Sequence, residues 1–183
     1  MDFVDIDKNL TNGENMGGIV QTVIFGLWAD VATWPAAPES PTDVEDNGVW
    51  TGDIIMKAGK RAFSFYSTME TGKFDITPVG QVDGISFEQR LTVFNPGLKA
   101  KLLGFLGAVK NENVFLIVQD QEGQYYLLGD SRNAAHMVTD GSSVTTGAAI
   151  AERKGATLVF VHPTNCPRAY TGDVSGIIEI ASA

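Results

Sequence analysis

A thiol and an imidazole four residues apart, Cys166 and His162, are the nearest this chain comes to a nucleophile with a base beside it. Such a pair yields a reactive thiolate when the side chains touch and an acid orients the ring. Here both sit in His162-Pro-Thr-Asn-Cys166-Pro, where the prolines predict a loop that keeps them apart and no orienting acid stands close in the sequence. His136 and His162 lack the local spacing of a metal motif. Asp5-Ile-Asp7-Lys-Asn9 opens like a calcium loop, but Leu10 stands where the sharp turn needs Gly and Met16 where the bidentate Glu belongs. Gly141-Ser-Ser-Val-Thr-Thr-Gly147 has the glycines of a phosphate loop without the Lys that follows them, and it precedes a strand. The expectation is therefore no catalytic residue, no bound metal and no cofactor.

The elements that would carry any site centre on residues 85–128. Ile85, Phe87, Leu91 and Val93 alternate with Ser86, Glu88, Arg90 and Thr92, the period of a strand with one buried face, and only Gln89 interrupts the inner row. Asn95 as N-cap and Pro96 at the first helical position predict a helix start directly after that strand. Leu98, Leu102, Phe105, Leu106 and Val109 share one helical face and form its expected core side. Gly104 and Gly107 each cost about 1 kcal/mol relative to Ala, less than the roughly 1.5 to 3 kcal/mol returned by each large apolar side chain buried. They either admit a close neighbour or mark flexibility. Asn111 is placed to end the helix in the left-handed conformation. Val114–Val118 and Tyr125–Leu128, joined by Asp120-Gln-Glu-Gly123, read as an antiparallel hairpin.

The remaining runs are also mostly strands. Ile19–Val31 is too continuously apolar for a half-exposed strand and is expected to be buried on both faces or bent at Gly26. Val49–Met56 and Arg61–Thr68 read as a hairpin around Lys57-Ala-Gly59-Lys60. Phe74–Val79, Val144–Ala151, Thr157–Val161 and Val174–Ile180 follow, with turns at Asp140-Gly141 and Glu152–Gly155. About nine strands, one helix and mainly hairpin connections predict a mainly β fold, an antiparallel β-sandwich or barrel with one flanking α-helix. No βαβ alternation supports a doubly wound nucleotide-binding sheet.

Composition bounds the function classes. With 183 residues, 44% hydrophobic content and 20 glycines, the chain reads as a single folded domain over 1–183. Residues 1–18 are expected to be a flexible arm, and 36–48 a long exposed acidic loop whose composition buries too little to order by itself. A single cysteine excludes an intrachain disulfide framework and suits a reducing cytoplasm. The acidic start, Met-Asp2-Phe-Val-Asp5-Ile-Asp7, has no secretory pattern. The apolar run Ile19–Trp34 is interrupted by Gln21, Thr22 and Asp30 and falls short of the roughly 20 residues of a membrane span. Residues 1–50 hold nine acids and one base, so −8 of the net charge of −9 lies there. Such a surface repels phosphate backbones. Trp28, Trp34 and Trp50 surround the acidic loop, where they can form a subunit contact, a carbohydrate platform or simply core.

The order of several features now bears on family. An arm ends at Gly17-Gly18 and a strand at Trp34-Pro35. Thr51-Gly52-Asp53 and Asn95-Pro96-Gly97 precede the helix, and Val114-Phe-Leu-Ile-Val118-Gln-Asp120 follows with Gly123, Thr146-Gly147, Gly155 and Tyr170-Thr-Gly172. Over residues 17–178 this resembles tailed-bacteriophage virion proteins of the tail-tube type. The resemblance implies a β-sandwich with a flanking helix that forms a homo-hexameric ring. Rings stack into a conduit in which DNA is a non-specifically transported passenger, and the partners are further copies and neighbouring virion proteins. It implies a virion location, after synthesis in the host bacterial cytoplasm, and no enzymatic activity. Trp28, Trp34 and Trp50 are then the candidate oligomer interface, and Asp43, Glu45 and Asp46 the candidate channel-facing acids, although the acidic loop itself matches no motif of that family. The alternatives are a neck or tail-completion ring and a receptor- or glycan-binding virion module; a thiol hydrolase on Cys166 and His162 is a third class.

Overall fold

The computed structural model describes residues 2–3 and 16–179. In chain order its elements are β1 (Thr22–Leu27), a 3₁₀ turn (Trp28–Asp30), β2 (Val31–Thr33), α1 (Val44–Asn47), β3 (Val49–Trp50), β4 (Ile55–Met56), β5 (Phe63–Tyr66) and β6 (Lys73–Val79). Then come β7 (Ser86–Pro96), α2 (Ala100–Val109), β8 (Val114–Gln119), β9 (Tyr125–Leu128), β10 (His136–Thr145), β11 (Gly155–Thr164) and β12 (Ala169–Tyr170). They form a six-stranded sheet in the order β3-β12-β9-β8-β1-β5, a four-stranded sheet β10-β11-β7-β6 and a small β2-β4 pair. All pairings are antiparallel except β12 with β3. The protein is a mainly β sandwich with a flanking helix.

The six-stranded sheet is the middle layer, which explains the unbroken apolar run of β8. Val114, Leu116 and Val118 face the four-stranded sheet and α2, joining Val23, Phe25, Leu91, Val93, Leu102, Val109, Leu158 and Phe160. Phe115 and Ile117 face the opposite way, into a second core with Ile24, Trp50, Ile54, Met56, Tyr170 and Ile177. β1 likewise sends residues into both cores, as its continuous apolar run predicts. Gly26 lies where any side chain would run into the Phe115 ring. Leu102 and Val109 are buried, and Leu98, Phe105 and Leu106 pack against the same core, so the five residues of the expected helix face lie on the sandwich side. Phe105 stacks near Phe25 and Phe65, at 5.1 and 5.3 Å. A Cβ on Gly104 or Gly107 would meet nothing within 4 Å, so neither glycine serves a close approach.

Several boundaries differ from expectation. β7 continues to Pro96, because its ladder with β11 runs to Gly155, and the helix begins only at Ala100 after Gly97 turns the chain at φ 83°. Asn95 therefore caps no helix; its amide donates to the Tyr66 carbonyl at 2.9 Å. The helix also ends without a left-handed residue: Lys110 keeps right-handed helical angles. The expected hairpin at Lys57–Lys60 is only a turn, since β4 pairs with β2 and β5 with β1. Asp140-Gly141 forms a bulge within β10, not a turn between strands. β11 extends through His162, Pro163 and Thr164; β10 begins opposite Val161, so the missing N–H of Pro163 costs no ladder bond. Residues 174–179 form turns instead of a strand, because the Asp173 carboxylate accepts from the N–H groups of Ser175 and Gly176 at 2.9 and 3.2 Å. Within the acidic loop, Asp43 caps α1 by accepting from Asp46 N–H at 2.9 Å, which orders a segment expected to be irregular. Of the expected arm, residues 1 and 4–15 lie outside the described residues; the Asp2 N–H donates to the Thr42 carbonyl at 2.9 Å.

Candidate functional site

Trp28 and Trp34 pack against each other with ring centroids 5.9 Å apart, and Trp34 sets its plane edge-on to Phe115 at 5.7 Å. Both are half-buried. Trp50 is only 7% exposed, a member of the second core, with the Arg168 guanidinium 5.1 Å above its ring. Its place among the expected contact residues is corrected accordingly: the pairing of β3 with β12 turns its side chain inward beside Tyr170. The acids Asp43, Glu45 and Asp46 belong to the α1 turn, next to Gly48, whose carbonyl accepts the Ala169 N–H at the β3–β12 edge of the six-stranded sheet. The hydroxyl and N–H of Thr42 hold the Asp46 carboxyl below the usual carboxylate range.

The strand edges differ sharply between the two large sheets. In the six-stranded sheet β3 has only two residues, and β5 is closed at both ends. Ala62 N–H donates to Ile177 C=O at 2.7 Å, Thr68 N–H to Phe94 C=O at 2.8 Å, and the Asn95 amide occupies Tyr66 C=O. In the four-stranded sheet the phase of the ladder follows from the 2.8 Å bond between Gly97 N–H and Lys154 C=O. Odd residues of β7 bond to β11 and even residues to β6, where their partners are Lys73, Asp75 and Thr77. The N–H and C=O groups of Phe74 and Ile76, and the C=O of Pro78, consequently point away from the sheet. Pro78 stands where no N–H is required. By the same count Met137 and Val144 present their backbone groups on the outer side of β10, on either side of its bulge.

Along β6 runs a groove of about 520 Å³ whose lining includes Gly17, Ile19, Phe74, Ile76, Asp120 and Tyr126. Beyond it the β6–β7 turn carries Val82 and Ile85 at 87% and 65% exposure, an apolar tip left uncovered by the described residues. The outer face of this sheet is charged in both signs. Lys73 and Asp75 pair at 3.0 Å, Glu88 stands on β7, and Arg90 reaches the Asp140 carboxylate at 2.6 Å, shielding Val159 with the β10 bulge.

His162 and Cys166 do not form a dyad. The thiol lies 3.5 Å from the Asn47 amide nitrogen, whereas the imidazole, 1% exposed, lies inside the sandwich. His162 Nδ1 is 2.8 Å from Gln89 Oε1, and its Nε2 is 3.5 Å from Asp130 Oδ2, an ion-pair distance, with no hydrogen-bond partner at Nε2 among the described residues. Burial pushes the Asp130 carboxyl up, but His162 and the N–H groups of Asn133 and Arg132 outweigh it and leave the group below its usual range. Gln89, the one interruption of an apolar row, was the sequence signal for this buried contact; nothing in the sequence marked Asp130. Among the described residues no group of three or more His, Cys, Asp or Glu could hold a metal, and no helix is long and apolar enough to cross a membrane. No family model, no curated protein and no solved structure matches this chain.

Proposed function

We propose that this chain is a bacteriophage virion structural subunit that assembles with further copies into a ring or tube, most simply the tail tube, through the edges of its four-stranded sheet. The observation that carries the reading is the β6 edge. Seven residues long, it has outward N–H and C=O groups at Phe74 and Ile76, a groove alongside lined by both apolar and charged side chains and an apolar turn beyond, while the edges of the six-stranded sheet are short or partly occupied. An open edge of this kind is a template for another strand, and a monomer that keeps one normally protects it. β10 of a second copy offers outward backbone groups at Met137 and Val144, one on either side of its bulge. The assignment to a phage particle rests on the order of glycine-marked turns given above, and a neck or tail-completion ring is the alternative on the same fold.

In such a ring the outer face of the four-stranded sheet lines the passage. Its charges come in both signs, Lys73 and Arg90 against Asp75, Glu88 and Asp140, so it offers phosphate backbones little net attraction. DNA is then a passenger and not a ligand. The test is negative-stain microscopy with light scattering on the purified protein: closed rings or tubes are expected. Ile76→Pro, which removes one outward N–H, is expected to leave a folded monomer. An intact protein that stays monomeric at high concentration, in the absence of other virion proteins, overturns self-assembly in favour of an accessory role.

A further inference from the structure

The four-stranded sheet ends in two exposed apolar tips, one at each end of its strands. The 80–85 turn lies beyond the pairing of Val79 with Ser86, at the end where β11 finishes and β10 begins. The 146–154 connection lies beyond the pairing of Thr145 with Gly155, at the other end. Ten residues of β11 run between them, roughly 33 Å at the usual rise per strand residue. Neither tip can therefore cover the other within one copy.

Both tips are held in shape by their own hydrogen bonds. In the first, Gly84 N–H donates to Gln81 C=O at 2.9 Å, and a Cβ on Gly80 would lie 2.4 Å from the Gly84 carbonyl oxygen. Val79, Val82 and Ile85 are exposed on it. In the second, Ala148 N–H donates to the Glu152 carboxylate, Glu152 N–H to Ala149 C=O at 3.0 Å, and Gly97 N–H to Lys154 C=O at 2.8 Å. Ala148, Ala149, Ile150 and Ala151 are exposed there. Covering such side chains with an apolar surface is favourable.

The two tips also differ in the sign of their charge. Residues 80–85 hold Asp83 and no base, whereas 146–154 hold Arg153 and Lys154 against Glu152. Lys99 and Lys101 follow Gly97 at that same end. All four cations are exposed, and none is within ion-pair distance of a described carboxylate. On a chain of net charge −9 this cationic end is a local feature, and the acidic tip of a second copy matches it in both charge and apolar surface.

We propose that the tips are the two halves of a head-to-tail contact between copies of this chain. The 80–85 turn of one copy packs Val82 and Ile85 against Ala149 and Ile150 of the next, with Asp83 facing Arg153 and Lys154. Because the two surfaces differ and sit at opposite ends, the contact is heterologous and leaves a free tip at either end for a further copy in line. It lies at the ends of the strands and is separate from the joint along their edges.

Disulfide trapping in the full-length chain, with Cys166→Ser throughout, tests it. One preparation carries Val82→Cys and a second, distinguished in mass by a tag, carries Ile150→Cys. Mild oxidation of the mixture is expected to give heterodimers in excess over either homodimer, and a chain with both cysteines a ladder of multimers. Arg153→Glu with Lys154→Glu on the Ile150→Cys chain should slow heterodimer formation about tenfold, the size expected for reversing two exposed charges. Asp83→Lys on the Val82→Cys chain should restore the rate. Homodimers as abundant as heterodimers, no cross-link at all, or a rate that ignores both charge changes overturns the contact. Cross-links between the β6 and β10 edges with none between 82 and 150 would leave the edge joint standing and overturn this one, and the converse result would do the reverse.

Discussion

At the scale of single residues, three positions concentrate the energetics. Leu102 is 8% exposed between α2 and β8, and its truncation to Ala leaves a cavity that helix and sheet cannot both close. A loss of about 2 to 5 kcal/mol is expected for Leu102→Ala, read from urea unfolding. Gly26→Ala should cost about 1 to 3 kcal/mol by overpacking, because the added methyl meets the Phe115 ring in a strand that cannot shift without opening both cores. Asp130 sets an acid limit. Its folded carboxyl lies below its usual range, so its contribution is complete above about pH 4 and is lost as pH falls through the lowered folded value. Urea midpoints measured downward from neutral pH should fall less steeply for Asp130→Asn than for the native chain.

At the scale of elements, α2 and β6 show opposite ways of leaving a surface open. The outward side of α2 holds Gly104 and Gly107 with free space around them, so Gly104→Ala should stabilise the fold by about 1 kcal/mol through helix propensity alone. No gain in thermal midpoint would mean that a neighbour lies against that side. Much of the element pattern was legible in the sequence: the β8–β9 hairpin with its Asp120 turn, the burial of β1 on both faces and the five-residue apolar face of α2 all follow from local chemistry. What was not legible depended on partners distant in sequence. Asn95-Pro96 is a sound helix start in isolation, but ten residues of pairing with β11 outweigh one capping bond. His162 looked like a loop residue because of Pro163, whose missing N–H is harmless only because β10 has not yet begun. For Trp50 the sequence left contact surface and core both open, and only the meeting of β3 with β12 shows that it belongs inside.

At the scale of the whole molecule, the open β6 and β10 edges lie at the two ends of one sheet, with the middle layer and its second core behind them. Cysteines introduced at Ile76 and Val144, in a Cys166→Ser background, should form intermolecular disulfides on oxidation if these edges meet, and none within a monomer. Removing residues 1–15 should weaken assembly while leaving the monomer melting curve nearly unchanged, since the Asp2 bond to Thr42 is the contact the described part of that segment makes.

The four-stranded sheet has one further consequence, which lies in its parity. Every neighbour in it is antiparallel, so β10 and β6 run in opposite directions. When β6 of one copy meets β10 of the next, the up-and-down alternation continues through the joint, and it goes on continuing for any number of copies until the circle closes. A sheet with an odd number of strands would force two like-directed strands together at every joint, with the slanted and slightly weaker bonding of parallel pairs. In the proposed ring an even sheet would close without such a seam, and the curvature of the wall would be left to strand twist and to the bulge in β10.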